Sequence, residues 1–277
     1  MLNLDGTMPR PGTLIHFADL PGERRAVVLV HGAGLDHEMF AEQGLALHAK
    51  GHRVVVLDLR AHGASALDAG ERFTAEAALG DVAALLDLLG LRKPVIVGHS
   101  LGGNLAQALV RRDPGRLGGL VVVDSTWNAG PLSAVERWLL RAAAPMLRTV
   151  PAARLPGIMA RASSVTPAAI AAIEATFARM PKTTFLDVWR ATASLVRPEP
   201  GYRTPVPLAL LRGEQDRTGN IGAAMPRWAG AEGVPEHVIP RAGHVVTLDA
   251  PTAVSDTLVD LLSGGWADRT ESGRSRA

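Results

Sequence analysis

Residues 94–103 read Pro94-Val95-Ile96-Val97-Gly98-His99-Ser100-Leu101-Gly102-Gly103. A short β-rich apolar run stops at a glycine, and a helical pattern starts at Ser100 and runs to Arg112, just before Pro114. The same rhythm surrounds it. Ala26-Val27-Val28-Leu29-Val30 ends at His31-Gly32, Val54-Val55-Val56-Leu57 ends at Asp58, and Leu120-Val121-Val122-Val123 ends at Asp124. Each run is continuously apolar instead of alternating, the pattern of a parallel strand covered on both faces. Between them, Glu76 to Leu89 places Leu79, Val82, Leu85, Leu86 and Leu89 at helical spacing, with Thr74 as N-cap and Gly90 at the stop. Strands alternating with helices predict an α/β fold with a parallel sheet.

The rhythm breaks after Asp124. Residues 127–200 show no strand pattern but three helical ones. The first opens on the capping box Ser133-x-x-Glu136 and carries Pro145, which is expected to kink or end it. The second starts at Thr166-Pro167, and the third places Phe185, Trp189 and Thr192 on one stripe. Strand patterns return at 206–211 and 236–239, followed by a helix over 250–262. We therefore expect a core built from 1–126 and 201–264, a helical insertion over 127–200, and a flexible tail over 265–277.

Composition narrows the function. The chain has 277 residues, 47% hydrophobic and 20% charged, enough for a sizeable core and against disorder. Without cysteine there is no disulfide scaffold, thiolate metal site or cysteine nucleophile. The net charge is +2, and all but three of the 29 basic residues are scattered arginines, which argues against a nucleic-acid partner. No apolar run approaches the ~20 residues of a membrane span, and Met1 to Gly6 lack a basic stretch with an apolar run behind it. The expectation is a cytoplasmic protein with no membrane partner. No histidine spacing suits a metal, and no glycine-rich phosphate loop is present, so no cofactor is expected.

The chemistry-bearing residues lie at strand ends. Gly98-His99-Ser100-Leu101-Gly102 matches G-x-S-x-G, in which a serine stands on a sharp strand-to-helix turn with its hydroxyl above the sheet. The helix N-terminus behind it favours developing negative charge. A serine hydroxyl needs a base, and the base needs an orienting carboxylate. Ala242-Gly243-His244 follows the last strand pattern, and Arg212-Gly213-Glu214-Gln215-Asp216 follows the one before it. Asp124 also ends a strand and is a second candidate for the acid. His31, His62 and His99 are expected to pack and hydrogen-bond within the turns.

With these motifs, the chain resembles the α/β-hydrolase-fold superfamily in its serine esterase, lipase and haloperoxidase-like branch. His31-Gly32-Ala33-Gly34 is similar to the family's oxyanion loop, and Asp58-x-Arg60-x-His62-Gly63-x-Ser65 to a segment common in that branch. The match covers about residues 10 to 265. The resemblance implies a mostly parallel eight-stranded sheet flanked by helices, with 127–200 as a helical cap. It also implies Ser100 as nucleophile, His244 as base, Asp216 as orienting acid, and the backbone N–H groups of Ala33 and Leu101 as oxyanion hole. Serine at the elbow sets the chain apart from dehalogenase and epoxide-hydrolase relatives, which the resemblance implies carry aspartate there. Acyl chemistry on an ester, lactone or thioester is the expectation. A ligand receptor on the same fold, or an acyltransferase or cyclase using the same residues, is the alternative.

The insertion holds five of the eleven aromatics. Trp127, Trp138, Phe177, Phe185 and Trp189 are candidates to line an apolar pocket over Ser100, fitting a small to medium substrate with an apolar body. It also carries nine Lys/Arg against four Asp/Glu. That excess suits steering of an anionic acyl group, or of an acyl-carrier partner that nothing else in the sequence supports.

Overall fold

Apolar runs that never alternate need cover on both faces, and the sheet supplies it. The computed structural model describes residues 2–264 and Trp266. Its strands are β1 (Gly6–Arg10), β2 (Thr13–Leu20), β3 (Arg24–Val30), β4 (His52–Leu57), β5 (Val95–His99), β6 (Gly119–Val123), β7 (Leu208–Gly213) and β8 (Glu236–Ile239). They form one sheet in the order β1-β2-β4-β3-β5-β6-β7-β8. The β1–β2 and β2–β4 pairs are antiparallel and the other five are parallel. The helices are α1 (Ala41–Ala49), α2 (Ala75–Leu88), α3 (Leu101–Arg112), α4 (Ala134–Thr149), α5 (Leu155–Ser163), α6 (Pro167–Phe177), α7 (Lys182–Leu195), α8 (Ile221–Glu232), α9 (Val246–Asp249) and α10 (Pro251–Ser263). The expected α/β architecture is therefore present: a mostly parallel eight-stranded sheet flanked by helices.

Each strand divides its residues between two cores. Val28, Val30, Val55, Leu57, Ile96 and Val122 face the side covered by α2, α3 and α8. Val27, Leu29, Val54, Val56, Val97 and Val123 face the side covered by α1 and α10. The hairpin β1–β2 leaves no continuous apolar run in the sequence because it lies at the sheet edge, where burial alternates along Thr13–Leu20.

Residues 127–200 hold α4 to α7 and a 3₁₀ turn, with no strand. Ser133 caps α4 with the reciprocal bond to Glu136, and Thr166 caps α6 through the Ala169 N–H. Pro145 does not end α4, which continues to Thr149 with the proline ring on its exposed side. Among the described residues no helix is long and apolar enough to cross a membrane. The expectation of a flexible tail over 265–277 lies outside the described residues, Trp266 apart.

Candidate active site

The parallel strands end together at one edge of the sheet, and their loops carry the polar residues. Ser100 sits between β5 and α3 at φ 49°, ψ −112°, a conformation unfavourable for an L-residue and a mark of stored strain. It is held from both sides. Its N–H donates to Val123 O at 3.0 Å, and its carbonyl accepts from Asn104 N–H at 2.9 Å and from Ser125 Oγ at 2.8 Å. The glycines around it are steric necessities. A Cβ on Gly98 would lie 2.5 Å from Gly102 O, and one on Gly102 would lie 2.1 Å from Val30 O. The helix can therefore start directly against the sheet only if both positions are glycine.

Two strands away, Asp216 and His244 meet. His244 Nδ1 lies 3.0 Å from Asp216 Oδ2, and the other Asp216 oxygen accepts from the Thr218 N–H at 2.7 Å. Burial alone would raise the Asp216 carboxyl, but His244, by charge and hydrogen bond, and the Thr218 N–H bring it down to about 2. An ionised Asp216 accepts, so Nδ1 carries the proton and Nε2 is the free basic nitrogen. Ser100 and His244 line the same cavity, with no hydrogen bond between their side chains among the described residues. The backbone N–H groups of Ala33 and Leu101 donate to no acceptor among the described residues.

The three histidines expected in the turns do fasten them. His99 Nε2 donates to His244 O at 2.8 Å, tying the serine turn to the histidine loop. Burial pushes His99 down to about 3, so it is neutral. His31 Nε2 accepts from the Leu59 N–H at 2.9 Å, which leaves Nδ1 to donate to Gly32 O at 2.8 Å. The His62 ring lies 4.9 Å from that of His31, tilted by 58°, and burial likewise lowers His62, to about 3. Asp58 joins the Ala33 loop to the segment after β4. It accepts from the His37 N–H at 2.8 Å, His37 Nδ1 at 2.9 Å and the Ala64 N–H at 2.7 Å.

A cavity of about 480 Å³ opens over Ser100. Phe177, Phe185 and Trp189 line it, together with Leu139, Leu140 and Met146 of α4. Trp127 and Trp138 do not, which corrects two of the five aromatic expectations. Trp127 stacks on Trp228 at 5.8 Å and faces a separate cavity of about 500 Å³ between α2, α3 and the end of α7. Trp138 points to solvent, 63% exposed. Helical spacing identified the stripes but not which side of α4 the cavity occupies. Among the described residues no lysine or arginine lines the cavity, so the basic excess of 127–200 lies elsewhere. Its charged rim residue is Glu136, brought down to about 2 by the Ser133 N–H and by Asn220 and Arg227.

Sequence reading missed one carboxylate that shapes the site. Asp249 accepts from the Gly243 N–H at 2.8 Å, beside His244, and from Ser164 Oγ at 2.5 Å and the Thr166 N–H at 2.9 Å. It clasps the histidine loop to the α5–α6 junction. Ser164 and Thr166 are 85 and 83 residues from Asp249 in sequence, with no local pattern to reveal the link. Asp124, Asp216 and His244 offer polar atoms within 4.8 Å of one another. Within this cluster the His244 Nδ1–Asp216 Oδ2 contact at 3.0 Å is a hydrogen bond.

A profile of the alpha/beta hydrolase family matches residues 27–257, and the chain belongs to that family. It is similar to a thermophilic esterase from Thermogutta terrifontis, at 27% identity over 93% of this chain and 96% of that one, with a TM-score of 0.72. The enol-lactonase of Burkholderia xenovorans LB400 shares the fold at a TM-score of 0.74 and 24% identity, over 93% of this chain and all of that one. A non-heme haloperoxidase from Rhodococcus erythropolis is 36% identical over 115 residues, 41% of each chain. The matched stretch spans about two fifths of the length of such curated relatives.

Proposed function

We propose that the chain is a serine hydrolase that cleaves an ester, lactone or thioester of a small to medium, uncharged and largely apolar acyl group. The observation that carries this reading is the 3.0 Å contact between His244 Nδ1 and Asp216 Oδ2, facing the strained turn of Ser100 across one cavity. In this scheme His244 Nε2 takes the Ser100 proton as Oγ attacks the carbonyl carbon. The tetrahedral oxyanion is met by the N–H groups of Ala33 and Leu101. The imidazolium then protonates the leaving group, and water releases the acyl group from Ser100 by the same steps. Asp216 holds the ring and stabilises its cation. The aromatic and aliphatic lining supports an apolar acyl body, and the ionised Glu136 at the rim disfavours an anionic one. In the same reading, 127–200 is a cap inserted between the two parts of the core.

A fluorophosphonate probe with a panel of p-nitrophenyl esters tests the proposal. The wild-type chain should label at Ser100 and turn over uncharged esters. Ser100→Ala should lose labelling and about 10⁶ in turnover, the scale for removing an activated serine. Equal labelling of the two proteins would refute the assignment. Faster turnover of a succinyl than of a butyryl ester would refute the preference for an uncharged acyl group.

A further inference from the structure

Strand β6 ends in a carboxyl group that the scheme above leaves unused. Asp124 has no exposed surface and a left-handed backbone, φ 42°. Its N–H donates to Leu211 O at 2.9 Å, which pins that backbone to β7. Its Oδ1 accepts from the Gly213 N–H at 2.9 Å. Its Oδ2 is buried and receives a hydrogen bond from no donor among the described residues. Asp216 lies beside it, within side-chain hydrogen-bonding reach.

Two ionised carboxylates cannot share a buried space of this size without strong repulsion. Asp216 is the one that stays charged, since His244 Nδ1 and the Thr218 N–H both donate to it. Asp124 has a single donor and one orphaned oxygen. One proton resolves both problems. We propose that Asp124 is held as the neutral acid and donates through Oδ2 to the Asp216 carboxylate, which makes it a positioning residue for the Asp216–His244 pair. The surroundings agree. Burial and then the Asp216 charge push the Asp124 carboxyl well above the usual range. Arg212 acts the other way, but its guanidinium is engaged by Glu236 at 2.7 Å and by Gly213 O at 3.0 Å. Among the described residues, His244 and the neutral His99 are the other titratable groups near the pair. Asp216 is thus gripped by the Thr218 N–H, the His244 ring and the Asp124 hydroxyl.

This inference rests on the serine-hydrolase reading for its effect on rate, but not for its proton. The test compares Asp124→Asn, Asp124→Ala and wild type by ester kinetics against pH and by infrared difference spectra. Asparagine keeps a neutral donor of the same shape, and alanine removes it. Wild type should show a protonated-carboxyl C=O band at neutral pH that Asp124→Asn lacks. Asp124→Ala should lose about 10–100-fold in kcat with little change in KM, the scale for a hydrogen bond to a charged group. Asp124→Asn should recover most of that loss and keep the acid limb of the pH profile in place. A limb displaced to lower pH in Asp124→Asn would mean that a negative charge had been removed, and would overturn the proposal. So would a missing band, or wild-type kcat in Asp124→Ala. If alanine prevents folding, the band and the asparagine profile decide. A wild-type protein that neither labels nor turns over esters would sink the hydrolase reading, while the band would still report on Asp124.

Discussion

Gly102→Ala is the sharpest test of how the serine turn is built. The added methyl would sit 2.1 Å from Val30 O, 2.7 Å from Val30 C and 2.9 Å from His31 O. All three are backbone atoms of a central strand or its end, so no side chain can turn aside. Clearing them requires the start of α3 to retreat from β3 by about 1 Å, given that carbon–oxygen contacts settle beyond ~3 Å. Overpacking of this kind costs about 1–3 kcal/mol, or roughly 2–6 °C in Tm for a chain of this length. Ser100 caps α3 and moves with it. A displacement near 1 Å at a reacting group costs on the order of 100-fold in rate. Gly230→Ala is the paired control: it lies exposed in α8, and a Cβ there meets nothing within 4 Å. That change should stabilise by about 0.5–1 kcal/mol. Thermal melts and fluorophosphonate labelling rates of both variants provide the readout. Wild-type Tm and labelling in Gly102→Ala would refute the steric account of the turn.

Two further predictions concern stability. Asp81 is fully buried and accepts from Arg60 at 2.6 and 2.8 Å and from Arg10 at 2.9 Å. Asp81→Ala leaves the 4%-exposed Arg60 unpaired and should cost about 3–5 kcal/mol in urea unfolding, a loss under ~1 kcal/mol being incompatible with this view. Acid should weaken the fold well before carboxylates titrate. His62 and His99 stay neutral in the native state down to about pH 3, whereas the unfolded chain binds protons at both sites below ~6.5, so stability falls as pH drops through this window. Asp124 opposes them by one proton, being raised in the folded state. The net difference of one proton should cost about 1.4 kcal/mol per pH unit below about pH 6, and urea midpoints that stay level from pH 7 to 5 would contradict it.

The parts of the fold legible in sequence are those whose burial is one-valued. β3, β4, β5 and β6 are buried on both faces, so their apolar runs are continuous and their ends fall at the functional loops. β1 and β2 alternate at an edge and carry Pro9, Pro11 and Gly12 nearby, which disguises them as loop. α8 was hidden by Pro226 and its glycines, and α5 by Pro156-Gly157 at its start. The residue types of the site were readable because G-x-S-x-G and the strand-terminal His and Asp each have a local signature. The partition between Asp124 and Asp216 was not, because both end strands and only spatial register decides which one meets His244. Trp127 and Trp138 show the same limit, since periodicity gives a face but not its neighbour.

The Asp249 clasp bears on how this scaffold can be altered. One carboxylate fastens the loop that presents the base and the joint between two helices that wall the cavity. Exchanging those helices for a relative's would leave the reactive groups on their strands, yet it would unlatch the imidazole unless the Ser164–Thr166 hinge travelled along. Selectivity is exchangeable here only in blocks that respect that joint, so recombination breakpoints should fall outside residues 163–166.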